Sequence, residues 1–465
     1  MFRALIAALA VSFVVLPIGP AVMAETKVPG SMVEIQLGFA PLVKQAAPAV
    51  VNIYAKRVVE VRSSPFQGDP FFQRLFGDQG EARPKVQNSL GSGVILSADG
   101  IVVSNFHVVG MATDIRVVLN DRREYSARVL LGDRDSDLAI LQLEDAHDMP
   151  HLNFRDSDSV QVGELVLAIG NPFGVGQTVS SGIVSGLARS AAAAGATRGY
   201  FLQTDAPINP GNSGGALIDV NGELIGVNTR ILTKSGGSNG IGFAIPSALV
   251  AQFVEQAKAG KTRFERPWAG MNGQPVDADM ADGLGLDRPG GIVISELHDV
   301  SPFKRAGFQP GDVILEVDGQ PVNNAAEMVY RMSVAGFGSE TEMTALMEGE
   351  RRDVMVQLLA APDTPARATL TTSRKAAVPG LVLSRINPAV LAQFGLPLGA
   401  AGVIVEVPGD IGARIGLRPG DVLHGVDDVE ISTPKEAEAA LREAGRRISL
   451  DVQRGNQRVV MRFRR

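Results

Sequence analysis

Ser213 stands in Thr204-Asp205-Ala206-Pro207-Ile208-Asn209-Pro210-Gly211-Asn212-Ser213-Gly214-Gly215-Ala216-Leu217, among glycines and prolines and between apolar runs that read as strands. A serine on such a turn can expose its hydroxyl and gather backbone N–H groups beside it, the two requirements of an acyl-transfer nucleophile. Gly-Asn-Ser-Gly-Gly is also what an ordinary polar turn looks like. Catalysis therefore requires a base within reach and a third group to fix the tautomer of that base.

The chain has five histidines. His298 and His424 fall inside two related C-terminal segments and read as surface or packing residues, while His147 and His151 flank a loop at Asp148-Met149-Pro150. His107 follows the apolar run Ile101–Ser104 and precedes Val108-Val109, so it is expected at a strand end, rigidly held at the edge of a barrel. For the acid, Asp133, Asp135 and Asp137 are candidates; Asp137 leads directly into Leu138-Ala139-Ile140-Leu141 and is the one expected to be buried against an imidazole.

The elements that must position these residues are short strands. Apolar runs recur at residues 49–55, 92–96, 101–104, 115–119, 126–130, 138–143, 165–169, 183–185, 224–227 and 242–245, with glycine-rich turns between them. Many short strands at this spacing predict a mainly β barrel or sandwich. Residues 57–90 read as a long insertion in this first domain, and its aromatic stretch Phe66–Phe76 is a candidate intersubunit contact. A helix over 248–258, with Leu249, Val250, Phe253 and Val254 on one side, closes a domain spanning 38–258.

Beyond it the chain repeats itself. Ala306-Gly307-Phe308-Gln309-Pro310-Gly311-Asp312-Val313-Ile314 recurs as Ile415-Gly416-Leu417-Arg418-Pro419-Gly420-Asp421-Val422-Leu423, each copy preceded by an apolar strand and followed by a helix pattern. Two related modules are expected at 266–360 and 378–465, tethered by the Ala-, Pro- and Thr-rich stretch 361–377.

Composition narrows the setting. With 465 residues, 45% hydrophobic and 20% charged, the chain is expected to form roughly three globular domains. A net charge of −6 without a basic block argues against a nucleic-acid partner. There is no cysteine, hence no disulfide, thiol nucleophile or cysteine-bound zinc. Residues 1–24 read as a cleaved secretory signal, with Arg3, a short apolar core, and Val22-Met23-Ala24 at the cleavage site. The apolar run is shorter than the ~20 residues a membrane span needs.

Five motifs occur in order: Gly91-Ser92-Gly93-Val94-Ile95, Asn105-Phe106-His107-Val108-Val109, Asp135-Ser136-Asp137-Leu138-Ala139, Gly170-Asn171-Pro172-Phe173-Gly174 and Gly211-Asn212-Ser213-Gly214-Gly215. Together they resemble the HtrA (Deg) family of trypsin-fold serine proteases, and the two repeats look like PDZ domains. The resemblance covers essentially the whole chain after residue 24. It implies a trypsin-like double β-barrel followed by two PDZ domains. It also implies a periplasmic, ATP-independent endopeptidase of unfolded envelope proteins that needs no metal or cofactor. Ser213 would be the nucleophile, His107 the base, Asp137 the orienting acid, and the N–H groups of Gly211 and Ser213 the oxyanion hole.

The resemblance carries finer expectations. The position that is acidic in proteases preferring basic residues is Pro207, and the side-chain pocket would be walled by Ile208, Ile231 and Ile241, favouring cleavage after small aliphatic residues. Protein C-termini would be gripped by Trp268-Ala269-Gly270-Met271 in the first PDZ domain and by Gly380-Leu381-Val382-Leu383 in the second. Both loops depart from the usual Gly-Leu-Gly-Phe type, and the second domain could serve assembly instead. Arg189 would belong to a regulatory loop responding to peptide, and the chain would form a trimer or larger cage. A holdase chaperone or peptide-binding scaffold, or a narrow regulatory protease, are the competing readings. The three intact triad positions favour the enzyme.

Overall fold

Short strands with alternating or continuous apolar character leave unpaired edges unless their sheets close on themselves. In the computed structural model, which describes residues 38–62, 82–171, 176–190, 200–231, 238–427 and 429–465, they close into two barrels. The first contains β1 (Val50–Arg62), β2 (Ala82–Ile95), β3 (Ile101–Ser104), β4 (Asp114–Val118), β5 (Glu124–Asp133) and β6 (Leu138–Leu143), in the order β1-β2-β3-β6-β5-β4. The second contains β7 (Leu165–Gly170), β8 (Thr178–Ser190), β9 (Tyr200–Thr204), β10 (Ala216–Ile218), β11 (Leu224–Ile231) and β12 (Gly242–Pro246), in the order β10-β11-β12-β9-β8-β7.

Helix α1 (Ala40–Ala46) precedes the first barrel, the single turn α2 (Phe106–Val109) follows β3, and α3 (Ser247–Lys258) follows β12. Leu249, Val250, Phe253 and Val254 of α3 are buried in one cluster with Val103 and Ile140 of the first barrel and Ile169 and Ile245 of the second. The apolar spacing along α3 therefore seals the seam between the barrels.

Two expectations are corrected here. Residues 57–62 do not start a loop: β1 continues to Arg62, paired in register with β2 from Ala82. His107 is not at a strand end but in α2, two residues beyond Asn105. The secretory signal, the Phe66–Phe76 stretch and residues 191–199 lie outside the described residues.

Each C-terminal module has its own sheet and core. The first contains β13 (Met271–Pro275), β14 (Ile292–Leu297), β15 (Val313–Val317), β16 (Gln320–Pro321), β17 (Glu340–Met347) and β18 (Glu350–Gln357), ordered β13-β14-β15-β17-β18 with β16 beside β15. Its helices are α4 (Ala278–Leu284), α5 (Pro302–Arg305) and α6 (Ala325–Ala335). The second contains β19 (Leu370–Thr371), β20 (Val382–Arg385), β21 (Val403–Val407), β22 (Val422–Val426), β23 (Val429–Glu430), β24 (Arg447–Arg454) and β25 (Gln457–Arg464), ordered β19-β20-β21-β22-β24-β25 with β23 beside β22. Its helices are α7 (Pro388–Phe394), α8 (Gly409–Arg414) and α9 (Pro434–Glu443).

The stretch expected to be a free tether is partly built into this second module. Leu370 and Thr371 form β19, and Ala376, Ala377 and Val378 are buried in its core. The first module rests on the second barrel through α6. Tyr330 stacks on Tyr200 with ring centroids 4.0 Å apart, and the guanidinium of Arg331 pairs with Asp158 and donates to Tyr200 Oη.

Candidate active site

The local fold brings the three candidate residues together from both barrels. Helix α2 is tied to the loop before β6: Phe106 N–H and Asn105 Nδ2 both donate to the Asp137 carbonyl, at 3.1 and 2.9 Å. Asp137 adopts a φ of +54°, a left-handed conformation that Asp tolerates better than most residues. This turn aims its carboxylate back at α2. His107 N–H donates to Asp137 Oδ1 at 3.0 Å, and His107 Nδ1 lies 2.8 Å from Oδ2.

Asp137 is buried, while the imidazole is half exposed. Burial pushes the Asp137 carboxyl up, but the hydrogen bonds and charge of His107, with a hydrogen bond from Thr229, outweigh it and hold the group below the usual carboxylate value. An ionised carboxylate only accepts hydrogen bonds, so the ring N–H directed at Asp137 is that of His107 Nδ1.

The serine turn is built by its neighbours. Asn212 N–H donates to the Asn209 carbonyl at 2.9 Å, and Gly211 has a φ of +102°. Proline at the second position and positive-φ glycine at the third are the chemistry of a type II turn. The first barrel holds this turn: Ser92 Oγ donates to the Gly211 carbonyl at 2.7 Å, and Ser92 N–H donates to the Ser213 carbonyl at 2.9 Å. Gly214 N–H donates to the Asn228 carbonyl at 2.8 Å. Among the described residues no acceptor faces the N–H of Gly211 or of Ser213.

Thr229 on β11 connects the pieces and was not foreseen from the sequence. Its Oγ1 donates to Asp137 Oδ2 at 2.8 Å, and its carbonyl accepts from Ser213 Oγ at 3.0 Å. Thr229 sits between Asn228 and Arg230 in the strand and carries no distinguishing sequence signal, since threonine is common in strands for packing reasons alone. The Ser213 hydroxyl thus rests on Thr229 rather than on His107; such bonds often align only when substrate is bound. A cleft of about 400 Å³ opens beside the imidazole, lined by His107, Val108, Met111, Lys56, Arg57 and Arg134 among others.

The remaining expected residues fall as follows. Ile208 is fully buried, and its Cδ1 lies 2.7 Å from the point where a Cβ on Gly242 would stand, next to Ile241. Ile231 ends β11 and Arg189 pairs with Phe201 across β8 and β9; their side chains lie outside the described residues. Trp268, Ala269, Gly270 and Met271 form the turn into β13, where Trp268 meets His298 edge-on and Gly270 O accepts from His298 N–H. Gly380, Leu381, Val382 and Leu383 form the corresponding turn into β20, but their backbone groups already bond to residues 370–372. No cluster of His, Asp or Glu fit to hold a metal ion occurs among the described residues.

Comparison with known proteins agrees with this layout. The trypsin-like peptidase domain matches residues 91–227, and PDZ domains match 252–358 and 402–454. The chain is 37% identical over 425 residues to a probable periplasmic serine endoprotease DegP-like of Halomonas elongata, covering 87% of this chain and 88% of that protein. It is 35% identical over 469 residues to the periplasmic pH-dependent serine endoprotease DegQ of Escherichia coli (strain K12), covering 99% of each. Among solved structures, the HtrA-type protease AlgW with decapeptide is 39% identical with a TM-score of 0.52, covering 70% of this chain and 99% of that one.

Proposed function

The chain belongs to the HtrA (Deg) family of periplasmic serine endoproteases with a trypsin-like domain and two PDZ domains, and on that premise we propose that Ser213, His107 and Asp137 are its catalytic triad. The single observation that carries the proposal is the 2.8 Å contact of His107 Nδ1 with a buried, ionised Asp137, beside a serine on a glycine turn.

Ser213 Oγ leaves its contact with Thr229 and attacks the scissile carbonyl carbon while His107 Nε2 takes its proton. Asp137 stabilises the imidazolium without accepting that proton. The carbonyl oxygen becomes an oxyanion beside the N–H groups of Gly211 and Ser213. Collapse of the tetrahedral species breaks the C–N bond, and His107 delivers its proton to the departing amine. Water then attacks the acyl-enzyme with His107 again as base, releasing the carboxylic acid and restoring Ser213.

Substrates are unfolded envelope polypeptides, cut after small aliphatic residues that fit beside Ile208, Ile231 and Ile241. Peptide C-termini bind the first PDZ domain and regulate cleavage through the loop containing Arg189, within a trimer or larger assembly. The buried aliphatic Ile208 and the absence of an acid at Pro207 support the pocket reading.

The test compares wild type, Ser213→Ala and His107→Ala on unfolded casein, with an aryl sulfonyl fluoride as active-site label. Casein fragments from wild type alone, with the label on Ser213, are expected. Equal digestion by Ser213→Ala would end the assignment, and a cleavage profile dominated by Arg or Lys would end the pocket reading.

A further inference from the structure

The two PDZ modules carry the same strand at the same place but not in the same state. In the first module β13 pairs with β14 on one side, and its outer edge has no strand partner among the described residues. In the second, β20 pairs with β21 in the equivalent way, but its outer edge is occupied by β19. That strand comes from the segment joining the modules: Leu370 stands opposite Leu383 and Thr371 opposite Val382, antiparallel.

The segment is bonded along its length. Arg385 N–H donates to the Arg367 carbonyl at 2.7 Å, and Thr369 Oγ1 and Ser384 Oγ are 2.7 Å apart. Thr372 N–H donates to the Leu381 carbonyl at 2.8 Å. The turn before β20 is occupied as well. Gly380 N–H donates to the Thr372 carbonyl at 3.0 Å, and Leu381 N–H to Thr372 Oγ1 at 2.9 Å. An added peptide strand ends its run at this turn, with its terminal carboxylate taken by backbone N–H groups. The segment runs in that direction, and Thr372 takes the place of the terminus.

The second wall is engaged too. Ser373 N–H faces the Glu438 carboxylate of α9 at 3.2 Å, and Ala377 N–H donates to the Leu441 carbonyl at 2.7 Å. Ala376, Ala377 and Val378 are buried in one cluster with Leu381, Ala437 and Leu441, filling the space between β20 and α9. The corresponding stretch before the first module goes elsewhere. Phe264 stacks on Phe253 of α3, and Arg266 pairs with Asp133 of the first barrel. It leaves β13 uncovered.

We propose that the peptide site of the second PDZ module is filled by the protein's own segment Arg367–Thr372, bound as an internal strand ligand. The second module then takes no free C-terminus while that segment is in place. A peptide ligand of the same chemistry, extended and ending in a free carboxylate, binds there only after displacing it. This rests on the PDZ reading of residues 370–465 and not on hydrolysis, so a chain that cleaves nothing would give the same readouts.

The test uses the full chain carrying Ser213→Ala to prevent self-digestion. Because the chain has no cysteine, the pair Thr371→Cys and Val382→Cys reports directly on the pairing. Residues directly opposite across antiparallel strands have Cβ atoms close enough for a disulfide to bridge them. Mild oxidation is expected to form this intramolecular disulfide in nearly all molecules. Thr372→Pro removes the N–H that bonds Leu381. It is expected to speed hydrogen exchange at residues 380–385 by about tenfold or more, as local rather than global opening does, while 447–464 keep their protection.

The probe is a fluorescein-labelled peptide of the sequence of residues 366–372 with a free carboxylate, followed by anisotropy titration. Thr372→Pro is expected to bind one more equivalent than the parent, and the disulfide-locked chain no more than the parent. Failure of the disulfide to form while each single cysteine reacts with alkylating reagent would overturn the proposal. So would equal peptide stoichiometry in the parent and Thr372→Pro. If Thr372→Pro unfolds the module, the disulfide result alone decides.

Discussion

Thr229→Val isolates one hydrogen bond of the proposed triad. The Asp137 carboxylate accepts at Oδ1 from His107 N–H and at Oδ2 from His107 Nδ1 and Thr229 Oγ1. Valine keeps the β-branched shape that β11 requires, and it keeps the backbone carbonyl on which Ser213 Oγ rests. Only the hydroxyl is lost. A hydrogen bond to a charged group contributes about 1.5–3 kcal/mol, and each ~1.4 kcal/mol is tenfold in rate. Part of this loss falls on the stability of the resting protein, which also contains the bond. The part expressed in catalysis is expected to lower kcat/KM by about tenfold.

The pH profile gives the sign. Burial pushes Asp137 up, the His107 and Thr229 contacts hold it down, and the downward effects win. Removing one of them raises the group, so at the acid end, near the ordinary Asp value, Thr229→Val is expected to lose more of its activity than wild type. Thr229→Ser retains a hydroxyl and is expected to recover most of the loss. The assay is hydrolysis of a fluorogenic peptide with valine before the scissile bond, from about pH 4 to 8, a window that spans the ordinary Asp and His ranges. Wild-type kcat/KM in Thr229→Val, or a serine variant as poor as the valine one, would refute the reasoning.

Further outcomes follow from the same geometry. Gly214 has a φ of +85°, and a Cβ there would overlap the Ser92 carbonyl oxygen and stand 2.6 Å from Ser104 Oγ; Gly214→Ala must displace Ser213 and is expected to lose about 10²-fold in kcat/KM. Gly163→Ala is its control, since φ is +98° with nothing within 4 Å of the added Cβ, so strain of about 1–2 kcal/mol appears in melting while activity stays. Asp137→Asn presents an amide that cannot fix the same tautomer, and kcat is expected to fall by about 10⁴-fold. Because the folded carboxyl is held low, its contribution to stability is present above the unfolded Asp value and lost as pH falls through the folded value. Acid unfolding of Asp137→Asn should therefore depend less steeply on pH below the ordinary Asp range, and an unchanged slope in an acid titration followed by hydrogen exchange of the first-barrel strands would contradict this. Tyr330→Ala removes a buried ring stacked on Tyr200; a loss of about 3–5 kcal/mol from that contact is expected to release the first PDZ module, seen as a larger radius of gyration in X-ray scattering.

What could be read from the sequence divides along physical lines. A mainly β barrel or sandwich was legible because the strands are short, β-branched and separated by glycine turns, the family resemblance narrowed it to two barrels, and α3 was legible because Leu249, Val250, Phe253 and Val254 share a face. Ordered motifs carry His107, Asp137 and Ser213; the structure pairs His107 with Asp137, and Thr229 links Asp137 to Ser213. Thr229 was not legible, since its role depends on β11 lying beside the loop before β6, a relation between segments far apart in the chain. The end of β1 was misjudged because a hairpin arm is fixed by its partner register, and that register pairs Arg62 with Ala82 across residues that look like loop.

The second module illustrates the same limit with a larger consequence. Its Gly420-Asp421-Val422 repeats Gly311-Asp312-Val313, and that likeness does not reveal how the two copies differ in binding. The difference lies in residues before each copy. Ahead of the first, Phe264 and Arg266 find an aromatic ring and a carboxylate on the protease domain. Ahead of the second, Arg367–Thr372 has one alanine, three threonines, an arginine and a leucine but no aromatic residue, and it is drawn onto the nearest open strand edge. Alanine, proline and threonine in a run look like a tether because each side chain buries little by itself. A two-residue strand has no periodicity to read. An unpaired edge nevertheless recruits whatever extended backbone is close, and a segment covalently attached a few residues away is present at millimolar effective concentration. A free peptide must exceed that concentration or bind more tightly, so the state of each PDZ site follows from what its flanking chain is engaged with.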